Sequence, residues 1–379
     1  MGKTAFITGA NGISGGAFLE HLVNNTTSDD WSSIIITSRS PFKATVSDPR
    51  ITFIPLDFTK DVDTLVSQMK ETCAPVTHAY FCSYVHRDDF QELNTANASL
   101  FENFLDSLEK VAHNLENVTL ETGGKYYQIH LRPMPFPLQE DAPRVVDEKV
   151  GNFYFPQEDK LAQSQKGKKW TWNVVRPMGI IGATSKPNGM NFALSMAIYI
   201  LVERELGSKA PLLTNERFWE GGIDDLSYAP LIADLAIYVS THANCANQAF
   251  NASNGDVQPW RYFWPRVASY FGVDASIEQG FTKPKAAEGE IQLEQSWTEW
   301  AKDKREVWEK LCDEQGMPGA KSTFDYGTWA LNDWAFGRTW WHTPSTSKAR
   351  KFGYTGFKDS YDCMEETFDR FKQYGLLPQ

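Results

Sequence analysis

Short apolar runs alternate with longer amphipathic stretches over the first 180 residues of this chain. The strand-like runs are Thr4–Thr8, Ile34–Thr37, Ile51–Pro55, His78–Cys82, Asn117–Glu121 and Thr171–Arg176. The helical stretches between them include Ile13–Asn24, Val62–Lys70 and Leu93–Asn114. Strands separated by helices run parallel and carry helices on both faces of their sheet, so the pattern predicts an α/β fold with a doubly wound parallel sheet.

A glycine-rich turn joins the first strand to the first helix. It reads Gly9-Ala10-Asn11-Gly12-Ile13-Ser14-Gly15, with the spacing G-x-x-G-x-x-G. Glycines at these positions permit a tight turn and let the backbone approach a pyrophosphate at the helix N-terminus. The strand before the turn and the helix after it favour a Rossmann-type dinucleotide site over a turn without a ligand. The predicted cofactor contacts on this turn are Gly9, Asn11, Gly12, Ile13 and Gly15.

The residues that end the second strand indicate which dinucleotide binds. Enzymes that use NAD usually have Asp or Glu there to hold the ribose 2′-hydroxyl. This chain has Thr37-Ser38-Arg39-Ser40, in which a guanidinium and two hydroxyls can bind a 2′-phosphate. NADPH/NADP is therefore the expected cofactor, with Ser38, Arg39 and Ser40 as contacts. The alternative for Arg39 is an ordinary solvated surface residue.

Two residues after the third strand, Asp57 and Phe58, lie where folds of this kind often contact adenine. An aspartate in a turn is as often a cap for backbone N–H groups. Both interpretations of Asp57 stay open at this point.

The alternation of strands and helices stops after Gly182. Residues 184–222 contain a Pro/Gly break and one long apolar helix, and helical patterns return at Trp260–Phe271 and Ile291–Cys312. Between them, a helix near Asp224–Thr241 and the strand-like Ala249–Asn251 predict a return to the sheet. The predicted domains are an NADP-binding Rossmann domain of residues 1–183 and 223–256, and a smaller, mostly helical C-terminal substrate-binding lobe of residues 184–222 and 257–379.

Lys125 and Tyr154 are the candidate catalytic residues. Short-chain dehydrogenases usually carry Tyr-x-x-x-Lys, but the fourth residue after Tyr154 is Glu158. Lys125 instead follows the fifth strand, and Tyr154 begins the next helix, so both lie at the carboxyl ends of strands, where ligands bind. A phenol beside a fixed ammonium can donate a hydrogen bond or a proton to a carbonyl oxygen. We expect the cation to lower the pKa of Tyr154 from its reference value of about 10.

A second Tyr-x-x-x-Lys pattern is formed by Tyr354 and Lys358, far beyond the predicted sheet. We interpret it as a coincidence in a C-terminal loop.

The two candidate segments resemble the progesterone 5β-reductase/iridoid synthase-like branch of the extended short-chain dehydrogenases. That branch carries Thr-Gly-x-Lys and Asn-Phe-Tyr-Tyr-x-x-Glu-Asp motifs, and this chain has Thr122-Gly123-Gly124-Lys125 and Asn152–Asp159. Further matching pieces are Thr77–Phe81, Arg176-Pro177, Asn188–Asn191, Asn247–Asn251, Asn254–Asp256 and Lys348–Gly353. The resemblance covers nearly the whole chain and implies that Arg176 and Pro177 contact the cofactor.

The chain departs from the family pattern at two places, and one aromatic cluster leaves two interpretations open. Phe155 replaces the second tyrosine of the motif, which leaves Tyr154 as the functional phenol. The segment after Lys125 differs from that of the plant members, so His130 is either new chemistry or a plain loop residue. An aromatic cluster is either an apolar lid over the substrate or the core of the smaller lobe; its members are Trp329, Trp334, Phe336, Trp340, Trp341 and His342.

The resemblance implies an NADPH-dependent reductase of the C=C bond of α,β-unsaturated carbonyl compounds. Hydride would pass to the β-carbon, Tyr154 would stabilise the resulting enolate, and Lys125 would hold and polarise Tyr154. The substrate would be a small apolar carbonyl compound of the secondary-metabolite kind. The same pair could serve carbonyl (1,2) reduction or isomerisation, and a non-catalytic NADP-binding scaffold is the third alternative.

Composition restricts the partners and the compartment. The net charge of −11, without a basic stretch, disfavours nucleic acid as a partner. No apolar run reaches the roughly 18 residues of a membrane span, and the N-terminus lacks the pattern of a signal peptide. The five scattered cysteines favour reduced thiols without a metal site. We therefore expect a cytoplasmic protein that does not bind membranes, and a homodimer is compatible with the sequence.

Overall fold

The computed structural model describes residues 2–43 and 45–378. Its strands are β1 (Lys3–Thr8), β2 (Trp31–Ser38), β3 (Ile51–Pro55), β4 (His78–Phe81), β5 (Asn117–Glu121), β6 (Thr171–Pro177), β7 (Gly179–Ile181), β8 (Ile223–Asp224), β9 (Leu226–Tyr228), β10 (Gln248–Ala252) and β11 (Gln258–Pro259). Its helices are α1 (Ile13–Asn25), α2 (Val62–Met69), α3 (Phe90–Val111), α4 (Tyr154–Gln165), α5 (Phe192–Glu205), α6 (Glu216–Gly221), α7 (Ala229–Thr241), α8 (Trp260–Tyr270), α9 (Trp297–Ala301), α10 (Arg305–Glu314), α11 (Trp329–Gly337), α12 (Ser347–Lys351) and α13 (Ser360–Gln373). Short 3₁₀ helices span Gly124–Tyr127, Ala243–Cys245 and Pro318–Tyr326.

Seven parallel strands form the central sheet in the order β10-β6-β5-β4-β1-β2-β3. The chain runs from β1 outwards to β3 and then returns to β4 on the other side of β1. The strand order therefore reverses between β1 and β4, and ligands bind in the crevice at the carboxyl ends of the strands at such a reversal. The predicted doubly wound α/β fold is confirmed.

Helices cover both faces of this sheet, as parallel strands require. Phe6 and Ile35 pack into the core beneath α2, α3 and α4. Their neighbours Ile7 and Ile36 pack into the core beneath α1 and α7. Successive side chains of a strand point to opposite faces, which is why the central stretches Ala5–Ile7 and Ile34–Ile36 are apolar at every position.

A third apolar core lies outside the sheet and is built by α5, α6, α8, α9, α10, α11 and α13. Every residue of Phe192–Val202 in α5 is buried, as expected for a helix that is apolar on all sides. Among the described helices, none combines the length and the apolar character that crossing a bilayer requires.

Two predicted helices have other boundaries. The residues near Asp224 form β8 and β9, and α7 begins only at Ala229, with Pro230 in its first turn. The predicted helix Ile291–Cys312 is two helices, α9 and α10, separated by a turn, and the side chain of Ser296 caps the first of them.

The segment around α12 packs on the sheet, although it was assigned to the lobe. Ala349 and Tyr354 belong to the core beneath α1 and α7. The division of the chain into two domains stays a prediction.

Candidate active site

The glycine-rich turn brings β1 against the end of β4. Gly9 has φ of +69°, and a Cβ there would lie 2.7 Å from the carbonyl oxygen of Cys82. A Cβ on Gly15 would collide with the backbone of Gly9. Only glycine fits these two places. Since Gly12 is the N-cap residue and no side chain caps α1, the first N–H groups of the helix remain available to an anion.

Asn11 connects this turn by hydrogen bonds to the end of β2 and the residues just after it. Its Nδ2 donates to the Oγ atoms of Ser38 and Ser40, each at 2.9 Å. Arg39 between them is exposed and has no hydrogen bond or ion pair within the described part of the chain. The structure thus brings Asn11, Ser38 and Ser40 together and leaves the Arg39 guanidinium free.

Asp57 and Phe58 differ in what they can offer a cofactor. Oδ1 of Asp57 accepts hydrogen bonds from N and Oγ1 of Thr59 at 3.1 and 2.8 Å, which is the turn-capping interpretation. Phe58 is 3% exposed and packs edge-on against Phe104. The Phe58 ring faces the core, and a contact of Phe58 with adenine through its backbone stays a prediction.

The guanidinium of Arg176, a predicted cofactor contact, binds groups of the protein, and a contact through the Arg176 backbone stays a prediction. Its Nε and Nη2 donate to Glu158 at 3.0 to 3.2 Å. Its Nη1 donates to Oη of Tyr127 at 3.2 Å and to the carbonyl oxygen of Glu140 at 3.0 Å. The guanidinium carbon lies 3.5 Å from the centre of the Tyr126 ring. These partners use all five N–H groups of the arginine, so none remains for a cofactor.

Tyr154 lies at the carboxyl edge of the sheet, between β5 and β6. A Cβ on Gly123 would be 3.1 Å from Oη of Tyr154 and 3.5 Å from the carbonyl oxygen of Pro177. Burial raises the pKa of Tyr154 well above its usual value, and the nearby Tyr84 and Glu121 raise it further. The phenol is therefore neutral at pH 7 and can donate a hydrogen bond.

Asn152 connects the two candidate catalytic residues through their backbones. Its Nδ2 donates to the carbonyl oxygen of Lys125 at 2.7 Å, and its Oδ1 accepts from the backbone N of Tyr154 at 3.1 Å. Within the described part of the chain, Nζ of Lys125 forms no hydrogen bond, and burial lowers its pKa. The expected lowering of the pKa of Tyr154 by Lys125 is not observed, since burial dominates.

The loop after Lys125 is held by two tryptophans of the aromatic cluster. Nε1 of Trp340 donates to the carbonyl oxygen of Ile129 at 2.9 Å, and Nε1 of Trp334 donates to that of His130 at 3.1 Å. Burial and the Lys125 cation lower the pKa of His130 to about 4, so this imidazole is neutral at pH 7.

Most of the aromatic cluster is packed rather than open to solvent. Phe336 belongs to the core of the lobe, Trp329 packs against that core, and Trp340 and His342 are buried. The core interpretation therefore describes the cluster better than that of an open lid.

A cavity of about 510 Å³ adjoins the site and is lined by Tyr126, Tyr127 and residues of the segment 134–145. Neither Lys125 nor Tyr154 lines it. Tyr154 nevertheless packs in the same small apolar cluster as these two tyrosines, so the cavity is a neighbour of the candidate site and not the place where its phenol points.

The C-terminal Tyr-x-x-x-Lys pattern is structural. Oη of Tyr354 donates to Asp234 on α7 at 2.8 Å, whereas Lys358 forms an ion pair with Glu366 on α13. The two side chains serve different helices, which confirms the interpretation of this pattern as a coincidence.

Glu121 is a residue of this site that the sequence analysis did not single out. It ends β5, directly before Thr122, and its Oε1 accepts a hydrogen bond from Oγ of Ser14 on α1 at 2.6 Å. Burial raises its pKa to about 7. The available signal was a carboxylate at the end of a predicted central strand, directly before the Thr-Gly-x-Lys motif.

Comparison with known proteins agrees with this architecture. The family described as the PRISE-like Rossmann-fold domain matches residues 5–331. The short chain dehydrogenase gsfE of Penicillium aethiopicum is 60% identical over 379 residues, which is all of both chains. The 3-oxo-Δ(4,5)-steroid 5-β-reductase of Arabidopsis thaliana is 29% identical over 99% of this chain and 93% of its own. The crystal structure of the Bordetella bronchiseptica enzyme WbmH in complex with NAD⁺ shares the fold, with a TM-score of 0.63 at 14% identity, over 98% of this chain and 99% of that one.

Proposed function

The chain belongs to the PRISE-like Rossmann-fold family, as an oxidoreductase of the short-chain dehydrogenase type, and we propose that it reduces the C=C bond of α,β-unsaturated carbonyl compounds with NADPH. The observation that carries the proposal is the position of Tyr154. Its neutral phenol lies at the carboxyl edge of the sheet, on the side of the strand reversal where ligands bind.

The residues present fit a dinucleotide cofactor. Gly9 and Gly15 allow the tight turn between β1 and α1, since a Cβ on either would collide with backbone atoms, and α1 begins without a side-chain cap, so its first N–H groups can bind a pyrophosphate. Arg39 is free and stands where a carboxylate would select NAD, so NADPH is the cofactor we propose. When bound, NADPH supplies the hydride.

Tyr154 stabilises the charge that develops on the substrate. Hydride addition to the β-carbon would move an electron pair onto the carbonyl oxygen, and a neutral phenol aimed at that oxygen donates a hydrogen bond to the forming enolate, whose α-carbon then takes a proton from water to give the saturated ketone. Lys125, half-buried and joined to Tyr154 through Asn152, adds positive charge to this edge without bonding the phenol directly.

Two observations favour C=C reduction over carbonyl reduction. The pKa of Tyr154 is raised, so this phenol is a hydrogen-bond donor rather than a ready proton source. An enolate is less basic than the alkoxide formed by (1,2) reduction, so it depends less on immediate protonation. The Arabidopsis relative is named for reduction of a steroid double bond conjugated to a 3-oxo group, which supports the same reaction here.

The surroundings of Tyr154 suit an apolar substrate. Its ring centre lies 4.3 Å from that of Phe153, and Phe153 lies 6.1 Å from Tyr84, whose ring is partly exposed. We propose a small apolar carbonyl compound as the substrate. A homodimer stays a prediction.

The test is to mix the protein with NADPH and a panel of enones and enals that begins with 2-cyclohexen-1-one. NADPH consumption is followed by absorbance, and the product is identified by mass spectrometry. A saturated ketone supports the proposal, an allylic alcohol indicates (1,2) reduction, and a product of unchanged mass indicates isomerisation. Absence of NADPH oxidation across the panel contradicts the proposal.

A further inference from the structure

Glu121 lies where three parts of the candidate site meet. Its carboxyl group binds Ser14 in the first turn of α1. It also lies beside Cys82, which follows β4, and acts electrostatically on Tyr154 at the start of α4. The carboxyl group is thus placed between the turn that would hold the pyrophosphate and the phenol at which the reaction would occur.

Only one of the two carboxyl oxygens has a firm partner. Oε1 accepts the 2.6 Å hydrogen bond from Ser14. Oε2 is buried and accepts no hydrogen bond of good geometry among the described residues, and besides Ser14 the neighbouring polar group is the Cys82 thiol, which is a weak donor. A buried carboxylate oxygen without a partner is costly, so Oε2 is available to a proton or to a positively charged group.

The groups that face Glu121 leave its charge uncompensated. Ser14 on α1 is neutral, and burial together with Glu121 itself raises the pKa of the Cys82 thiol well above its ordinary value. Tyr154 on α4 is also neutral, because burial, Tyr84 and Glu121 raise its pKa. No cation is among the groups that act on the pKa of Glu121 in the described part of the chain, so burial prevails and raises that pKa to about 7. Both protonation states are therefore populated near neutral pH.

Taking the proposed NADPH reductase as its basis, we propose that Glu121 links the oxidation state of the bound nicotinamide to a proton, with the carboxylate favouring NADP⁺ and the protonated acid favouring NADPH. The oxidised nicotinamide ring carries a positive charge, and the reduced ring is neutral. The positive oxidised ring stabilises a buried carboxylate in this crevice, whereas the neutral reduced ring leaves that carboxylate without a counter-charge. The linkage adds no bond-making step to the reaction.

The linkage has a definite sign. As pH rises through the pKa of Glu121, the carboxylate forms, so NADP⁺ binds more tightly relative to NADPH. The ratio of Kd for NADP⁺ to Kd for NADPH therefore falls with rising pH, by at most about tenfold per pH unit for one proton. The 2′-phosphate titrates near pH 6, but it is common to both dinucleotides and largely cancels in the ratio.

The experiment measures both Kd values between about pH 6 and about pH 8.5 by NADPH fluorescence and by competition with NADP⁺, for the wild-type protein, Glu121→Gln and Ser14→Ala. We expect the wild-type ratio to fall about 5- to 10-fold or more across this range. In Glu121→Gln, which keeps the shape and an acceptor for Ser14, the ratio should change less than about 2-fold. Ser14→Ala keeps the carboxyl group, so its ratio should still fall with pH.

Three outcomes overturn the inference. One is a ratio that stays constant with pH in the wild-type protein, and another is a wild-type slope retained by Glu121→Gln. The third, no binding of either dinucleotide, removes the proposed function as well. The binding ratio requires no carbonyl substrate, so its result is independent of the enone test.

A second measurement covers the case in which Glu121→Gln fails to fold. Calorimetry of the wild-type protein near pH 7, in two buffers of different ionisation enthalpy, counts the protons exchanged on binding each dinucleotide. We expect NADP⁺ to release more protons than NADPH. Equal counts would overturn the inference.

Discussion

Glu158 binds Arg176 through both of its carboxylate oxygens, at 3.0 to 3.2 Å. Glu158 lies four residues after Tyr154, on the same face of α4, and α4 packs on β6, which carries the arginine. A lysine at this position would face a buried guanidinium. A cation beside Tyr154 must therefore come from another element, and Lys125 stays the predicted one.

Breaking this ion pair should destabilise the protein strongly. Glu158 and Arg176 have side chains only 10% and 2% exposed, so Glu158→Gln leaves a buried cation without its counter-ion and should lower the free energy of unfolding by about 3 to 5 kcal/mol. The matched control is Asp159→Asn, because Asp159 pairs with Arg144 and is 65% exposed. That change should cost no more than about 1 kcal/mol. Urea unfolding measures both, and equal losses would contradict the structural role of the pair.

Removing the Tyr154 hydroxyl should affect turnover and not cofactor binding. Tyr154→Phe deletes the donor to the forming enolate, so kcat should fall by about 100- to 1,000-fold, while the Kd for NADPH stays within about twofold. Phe155→Tyr restores the second tyrosine of the family motif. Because the Phe155 ring packs edge-on against Tyr126, kcat of this variant should change by less than about threefold. Wild-type turnover in Tyr154→Phe would exclude the phenol from the mechanism.

Adding one methyl group beside the phenol should displace it. The new Cβ of Gly123→Ala would lie 3.1 Å from Oη of Tyr154, tighter than an ordinary contact, and Gly123 has an extended backbone with φ of 172° that alanine adopts freely. We expect kcat to fall by about 10- to 100-fold, because a small misplacement of a catalytic group is costly, with little change in thermal stability. The control is Gly189→Ala, because a Cβ on Gly189 would have no other atom within 4 Å outside its chain neighbours. Steady-state kinetics measures kcat and a thermal melt measures the stability of each variant, and equal kcat values in the two variants would contradict this prediction.

Arg39 should determine the choice between NADPH and NADH. Arg39→Asp replaces the free guanidinium with a carboxylate that repels a 2′-phosphate and can hold a ribose hydroxyl. The Kd for NADPH should rise by about 10- to 100-fold and the Kd for NADH should fall, as measured by fluorescence titration. Lys43→Asp makes the same charge change nearby on the same loop and should leave the ratio of the two Kd values nearly unchanged. An unaltered preference in Arg39→Asp would assign the 2′-phosphate site to other residues.

Buried histidines should make the protein sensitive to acid. Burial, together with the nearby Lys3 cation, lowers the pKa of His78 to about 4, below its unfolded value of about 6.5. The unfolded chain therefore binds a proton more readily, and stability is lost as pH falls from about 6.5 to about 4, by up to roughly 3 kcal/mol for this one group. His78→Gln should show a smaller loss than the wild-type protein between these pH values. Urea unfolding at both pH values measures the difference, and parallel losses would exclude His78 as the source.

Local patterns in the sequence were sufficient for the sheet and for the motifs. The predicted bounds of β3 and β5 agree with the structure, and the other sheet strands differ by three residues or fewer at either end, because strand periodicity and glycine-rich turns are properties of neighbouring residues. The same holds for the placement of Tyr154 at the start of α4 and of Lys125 directly after β5. The helix near Asp224 was misplaced because short apolar strands and buried helices share one pattern.

The partners of individual side chains were decided only by the tertiary structure. Arg176 and Phe58 belong to motifs near the cofactor crevice, yet their side chains turn to Glu158 and to the core. Glu121 and Ser14 form a hydrogen bond although they are 107 residues apart in the sequence, and no local sequence pattern predicts that contact. The sequence by itself therefore determined the fold and which residues lie at the edge of the sheet. Burial, which depends on how distant segments pack, raises the pKa of Tyr154, whereas the sequence alone predicted that Lys125 would lower it.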